Sequence, residues 1–290
     1  MNILDDLKMQ YKLGGIVNKL IYWNVACFLI SFVLPGILRI FNVDLNVLQY
    51  VSLSSNPSDL LWKPWSLISY AFFHFDFFHI LFNMLVLNFA SQLFLTFFTQ
   101  KQFLGLYLLA AIFGGAVFMG TYYLMNMDAP IVGASAAIMA VLMAVTSYQP
   151  LMEVRLLLIG RVKLWHITAV LLILDLMQLR LENMGGHISH LAGALFGFVF
   201  IKALQKGTDM SLIVTKVISF FANGFGTKPS TPFKKVHKNY NKPVEKRTTS
   251  RIVTKDKTQQ QIDEILDKIS QSGYDSLTKE EKDFLFKSGK

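Results

Sequence analysis

Six apolar stretches, at about residues 20–41, 78–98, 103–125, 132–149, 163–180 and 187–205, take up most of the first two thirds of the chain. At a helical rise of about 1.5 Å per residue, each is close to the length that a bilayer core requires. The fold class expected is therefore all-α: a polytopic membrane protein with a bundle of six transmembrane helices. Composition agrees. Of 290 residues 53% are hydrophobic and only 16% are charged, against about 25% charged in soluble domains. The charge is concentrated at the ends: from Lys202 onward there are 18 of the 28 Lys and Arg residues against 10 of the 19 acidic ones, a net +8. Cys27 is the single cysteine, which excludes an internal disulfide or a cysteine-rich metal site. Asp5, Asp6 and Lys8 open the chain, and no small-x-small site follows the first apolar run, so that run is expected to stay as an anchor.

The apolar text from Trp65 to Phe98 is too long for one crossing. The crossing is assigned to Phe78 onward and residues 42–77 to an interfacial loop on the outer leaflet. Trp62, Trp65 and Tyr70, with Pro57 and Pro64, suit a headgroup-level position. Six crossings place both termini on one side. Lys8, Lys12, Lys19, Lys101, Arg155, Arg161, Lys163 and the tail share that side, while Arg39, Lys63 and Arg180 share the other. The positive bias makes the termini cytoplasmic, in a multi-pass protein of the plasma (inner) membrane. Spans 2, 4 and 6 then all start at the outer face.

That parity brings chemistry together. Ser135 opens span 4 two residues after Gly133, and His190 lies near the start of span 6, four residues after Gly186. Polar groups inside a membrane are costly unless satisfied, so a serine and a histidine at one depth suggest a hydroxyl activated by an imidazole. Gly193 and Gly197 on span 6, facing Ala134, Ala136, Ala137 and Ala140 of span 4, would let the two backbones approach closely. Span 2 opens with His74, His79 and Asn83; His79 and Asn83 are four apart and share a helix face. Both side chains can donate to a developing oxyanion. Asp175 is read as a gate-side carboxylate or one paired with Arg180, with orientation of His190 as the other reading. His74, His166 and His187 are read as interfacial, His74 being the accessory candidate.

These residues resemble the rhomboid family of intramembrane serine proteases: H-x4-H-x3-N at His74, His79 and Asn83, G-x-S at Gly133 and Ser135, and H-x2-G-x3-G at His190, Gly193 and Gly197. The likeness covers about residues 15–205. It implies a catalytic dyad of Ser135 and His190 with no obligatory acid, and an oxyanion hole made by the Ser135 N–H, His79 and Asn83. Two positions depart from the pattern. Ala136 stands where rhomboids usually have glycine, and Met139 where some members place a tyrosine beneath the histidine. The partners implied are transmembrane protein substrates within the lipid bilayer, and neither nucleic acid nor any metal or organic cofactor is called for. Near the outer face, substrate segments with Gly, Pro or small residues would unwind most readily.

Four segments are expected: a cytoplasmic N-terminal piece over 1–19, the six-helix domain over 20–205, a basic linker over 206–256, and a soluble helical hairpin over 257–290. The linker contains an amphipathic stretch near 211–226, then prolines and unbalanced positive charge. Its lysines rest on anionic lipid, or it is a plain solvated tether. In the hairpin, Ile262, Ile265, Leu266 and Ile269 share a face, Gly273 ends the helix, and Thr278 with Glu281 forms a capping box for the next. It resembles a small helical appendage of some bacterial rhomboids and reads as a module for an unknown partner or for regulation. Two rivals stand beside the protease. One is a catalytically silent relative that binds membrane clients; the other is a small-solute transporter, which would carry its polar residues at mid-bilayer rather than at one end.

Overall fold

The computed structural model describes residues 2–156, 159–180, 183–225 and 257–288. They fall into two compact units, Met1–Lys228 and Pro229–Lys290.

In the first unit, every apolar run forms a helix, because backbone polar groups in a membrane must find partners within their own segment. A short α1 (Ile3–Leu13) precedes α2 (Ile16–Ile40), in which a π turn over Leu29–Val33 comes just before Pro35, whose missing N–H interrupts the helical ladder. Then follow α3 (Phe77–Leu95), α4 (Gln100–Leu124), α5 (Ser135–Tyr148), α6 (Leu164–Gln178) and α7 (Met184–Gln205). Of these, α2, α3, α4 and α7 are long and apolar enough to cross a membrane, while α5 and α6 are shorter apolar helices. The protein is thus an all-α, polytopic integral membrane protein.

Helix α5 is central. Ten of its 14 residues are buried, and it is packed between α3, α4 and α7. Such close approach needs small residues. A Cβ on Gly193 would overlap the carbonyl of Ala136, and one on Gly197 the carbonyl of Ala140, so α7 lies directly on the α5 backbone.

The 42–77 segment, expected as a loop, contains short helical turns and a strand. Strand β1 (Leu53–Ser54) pairs antiparallel with β2 (Pro130–Ile131), the strand that leads into α5. Ser55 Oγ donates to Asp128 Oδ1 at 2.8 Å and accepts from Ala129 N at 3.1 Å. Trp62 and Trp65 are exposed. Tyr70, by contrast, does not face outward. It is buried, its hydroxyl donating to the Ala111 carbonyl at 2.6 Å, because a ring reaching α4 can both bury its face and satisfy its oxygen. A second short ribbon, β3 (Glu153–Leu156) with β4 (Gly160–Lys163), connects α5 to α6.

After α7 the chain does not pass straight into a linker. Helix α8 (Ser211–Phe225) begins against α4, with Ser211 buried beneath Gly105 and Asp209 accepting from Gln102 Nε2 at 3.2 Å. Truncation at residue 207, which composition alone would permit, would strip a docked helix from the bundle. The remaining linker, 226–256, lies outside the described residues.

The second unit contains α9 (Lys257–Ser272) and α10 (Lys279–Ser288). Gly273 breaks the first helix with φ of +77°, and the capping box joins Thr278 N to Glu281 Oε2 at 2.8 Å and Glu281 N to Thr278 Oγ1 at 3.3 Å. Lys268 reaches Glu281 at 2.9 Å and holds that carboxyl below its usual range. Ile265 is buried against this turn; Leu266, expected on the same face, is exposed.

Candidate active site

Ser135 is the first residue of α5, delivered there by an extended approach. Gly133 has φ of +139°, a conformation that other residues rarely adopt, and its N–H donates to the Tyr70 carbonyl at 2.9 Å. A Cβ at Gly133 would also lie 2.9 Å from His79 Nε2. Backbone shape and space therefore both require glycine two residues before the serine. As the first residue of a helix, Ser135 carries an N–H with no intrahelical partner, at the positive end of the α5 dipole.

His190 sits in the second turn of α7, whose start is capped by Asn183 in the left-handed conformation at φ of +56°. The close crossing of α7 over α5 brings His190 Nε2 to 2.6 Å from Ser135 Oγ. Both residues line a cleft of about 500 Å³ together with His79, Asn83, Asp76 and Asn183. They also line a second, more apolar groove of about 280 Å³ with Phe82, Val86, Met139, Leu171 and Leu174. The hydroxyl–imidazole pair thus stands at the junction of a polar cleft and an apolar groove, within reach of a chain entering from either.

The first two turns of α3 supply the polar wall. Asp76 caps the helix by accepting from His79 N at 2.9 Å, which fixes the backbone carrying His79. Asn83 donates one amide hydrogen to the His79 carbonyl at 2.8 Å, and an amide has a second to give. His74 is buried rather than interfacial, edge-on to His79 with ring centroids 4.9 Å apart. Neither of its ring nitrogens has a hydrogen-bond partner among the described residues. Burial, helped by the neighbouring His79, lowers the His74 pKa to about 3, so this ring stays neutral and acts as packing for His79. Met139, one turn below Ser135, is buried and borders the apolar groove beside His190. His166 is exposed, its ring centroid 3.9 Å from that of Trp165.

If His79 and Asn83 donate to an oxyanion, Asn83→Ala is expected to slow turnover by about 10- to 1,000-fold. The double variant with His79→Ala should lose more. Steady-state kinetics check this, and an unchanged kcat in the double variant would remove both from the site.

Asp175 makes the less favoured of its two expected contacts, and His187 is drawn in beside it. Asp175 is buried on α6 and does not pair with Arg180; its Oδ1 lies 2.8 Å from His190 Nδ1 and 2.8 Å from His187 Nδ1. His187 is accordingly buried, one turn before His190 on the same helix face, and not interfacial. The physical reason is plain. A carboxylate inside an apolar bundle is costly without donors, and two imidazoles three residues apart present theirs together. The signal was the H-x2-H spacing read beside a lone acid in an apolar span. The ligand atoms of Asp175, His187 and His190 lie within 4.8 Å of one another, but both nitrogens stand at hydrogen-bond distance from the carboxylate.

Among protein families, residues 61–206, about half of the chain, match the Rhomboid domain. Residues 252–287 match DUF6576, a family of unknown function. Comparison with curated proteins returns no match.

Proposed function

The chain belongs to the rhomboid family, and on that premise we propose that it is an intramembrane serine endopeptidase, cleaving transmembrane or membrane-adjacent segments of other membrane proteins. The observation that carries the reading is the 2.6 Å contact between Ser135 Oγ and His190 Nε2 at the mouth of the cleft. His190 takes the serine proton as Oγ attacks the scissile carbonyl, then returns it to the leaving amine. Water, activated by the same imidazole, releases the acyl-enzyme. The tetrahedral oxyanion is received by the Ser135 N–H at the helix terminus, with His79 and Asn83 as side-chain donors.

The apolar groove beside Met139 suits a substrate segment arriving from lipid, and the polar cleft suits the unwound stretch to be cut. A segment with Gly or Pro near the outer face exposes its carbonyl most easily. Both termini are assigned to the cytoplasm and the bundle to the plasma membrane, on the Lys and Arg bias of the loops. The hairpin over 257–290 is assigned to an interaction or regulatory role.

The test uses purified full-length protein in liposomes with a panel of labelled single-span substrates, the products being identified by mass spectrometry. Cleavage near the outer end of a substrate span, lost in Ser135→Ala, is the expected result. A folded protein that binds such segments and never cuts them would instead establish a silent client-binding relative.

A further inference from the structure

We propose that Asp175 is a positioning residue for His190, so that this protein works through a Ser–His–Asp relay in which His187 holds the carboxylate in place. The inference rests on the endopeptidase reading above and deepens it. A family-like dyad needs no acid, yet here both nitrogens of the His190 ring are engaged: Nε2 with Ser135 Oγ at 2.6 Å and Nδ1 with Asp175 Oδ1 at 2.8 Å.

The donor and acceptor roles follow from elementary chemistry. An ionised carboxylate only accepts, so the hydrogen in this pair sits on His190 Nδ1. A neutral imidazole carries one hydrogen, so Nε2 is left with its lone pair facing the serine hydroxyl. That is the tautomer a general base must have. The opposite tautomer would point an N–H at Ser135 and disable it. When His190 later takes the serine proton, the adjacent carboxylate stabilises the imidazolium that forms, without itself being protonated.

His187 completes the arrangement. Its Nδ1 lies 2.8 Å from the same Oδ1, and its ring stands edge-on to His190 at 83° with centroids 5.6 Å apart. One oxygen has two lone pairs and receives two N–H groups, so the carboxylate cannot rotate without losing a donor. Asp175 belongs to α6, whereas Ser135 belongs to α5 and His190 to α7. Three helices are thereby joined at the reacting centre, and the ring that Met139 leaves without an aromatic platform is fixed from its edge instead.

The experiment compares full-length wild type with Asp175→Asn, Asp175→Ala and His187→Phe in liposomes, on one cleaved substrate. Asp175→Asn keeps the size of the side chain and removes its charge. Both Asp175 variants are expected to lose about 100- to 10,000-fold in kcat with KM changed by no more than about threefold, by analogy with the acid of a serine–histidine–aspartate triad. His187→Phe should lose about tenfold, since the carboxylate remains but is less firmly held. A second readout does not need turnover. In 15N-histidine NMR, His190 should be protonated at Nδ1 in wild type and should shift toward the Nε2-protonated form in Asp175→Ala. Variants with kcat within about threefold of wild type, or a loss confined to KM, would overturn the proposal. If wild type cleaves no substrate, the endopeptidase reading fails by itself, and the tautomer measurement alone decides the relay. A His190 tautomer that is the same with and without Asp175 would then refute it.

Discussion

Ser135→Ala is expected to lower cleavage by about 10,000-fold or more, and His190→Ala by a similar factor, with the double variant no worse than either alone. The reason is that the two act as one unit. Without the imidazole the hydroxyl is a poor nucleophile at neutral pH, and without the hydroxyl the imidazole has nothing to activate. Neither change should disturb the bundle, because both side chains lie at the cleft rather than in the helix-packing seam, so expression and helix content should stay near wild type. Rates measured in liposomes over an extended time course check the size of the loss. Two independent, multiplying losses would contradict the single-unit account.

Gly193→Leu should inactivate by a different route and with comparable force. The α7 backbone lies so close to α5 that even a Cβ at this position overlaps the Ala136 carbonyl. Leucine must push the helices apart, and overpacking of that kind typically costs about 1–3 kcal/mol of stability. The shift falls one residue beyond Ala192 and three beyond His190, on the helix that aims the imidazole. A misplacement of about 1 Å at a reacting centre is enough to cost on the order of 100-fold in rate. Thermal melting and kinetics measured together distinguish this from a purely chemical defect: stability and kcat should fall in the same variant, and Gly193→Ala should show a smaller version of both. A fully active, fully stable Gly193→Leu would contradict the close-packing account.

What the sequence disclosed follows from periodicity and length. The helices that carry the candidate site were legible because an apolar run of bilayer length has little choice but to be helical, and the meeting of Ser135 with His190 was legible because the parity of crossings starts both of their helices at the same end of the bundle. The Gly193 and Gly197 seam was legible because small residues at a four-residue interval have few other uses in such a helix. Contacts made between elements distant in sequence were less legible. Tyr70 looked like a headgroup-level aromatic because its partner, the Ala111 carbonyl, is a backbone atom that no side-chain pattern announces. The pairing of β1 with β2 involves two residues on each side, too few to show an alternating pattern. For Asp175 the sequence leaves two partners open, Arg180 as its near neighbour and His190 on the next helix; only the fold chooses, and it offers the carboxylate both His187 and His190. Helix α8 was seen as amphipathic but not as docked, since the contact of Ser211 with Gly105 joins two residues that are individually unremarkable.

The central claim is that Ser135 is a nucleophile made reactive by His190. It is tested most directly by treating the folded, full-length protein in liposomes with a fluorophosphonate and mapping the adduct by mass spectrometry. The account predicts stoichiometric modification of Ser135 in wild type, and modification slowed at least about 100-fold in His190→Ala because the base is gone. A folded wild-type protein whose Ser135 stays unmodified, or is modified equally fast without His190, would contradict it.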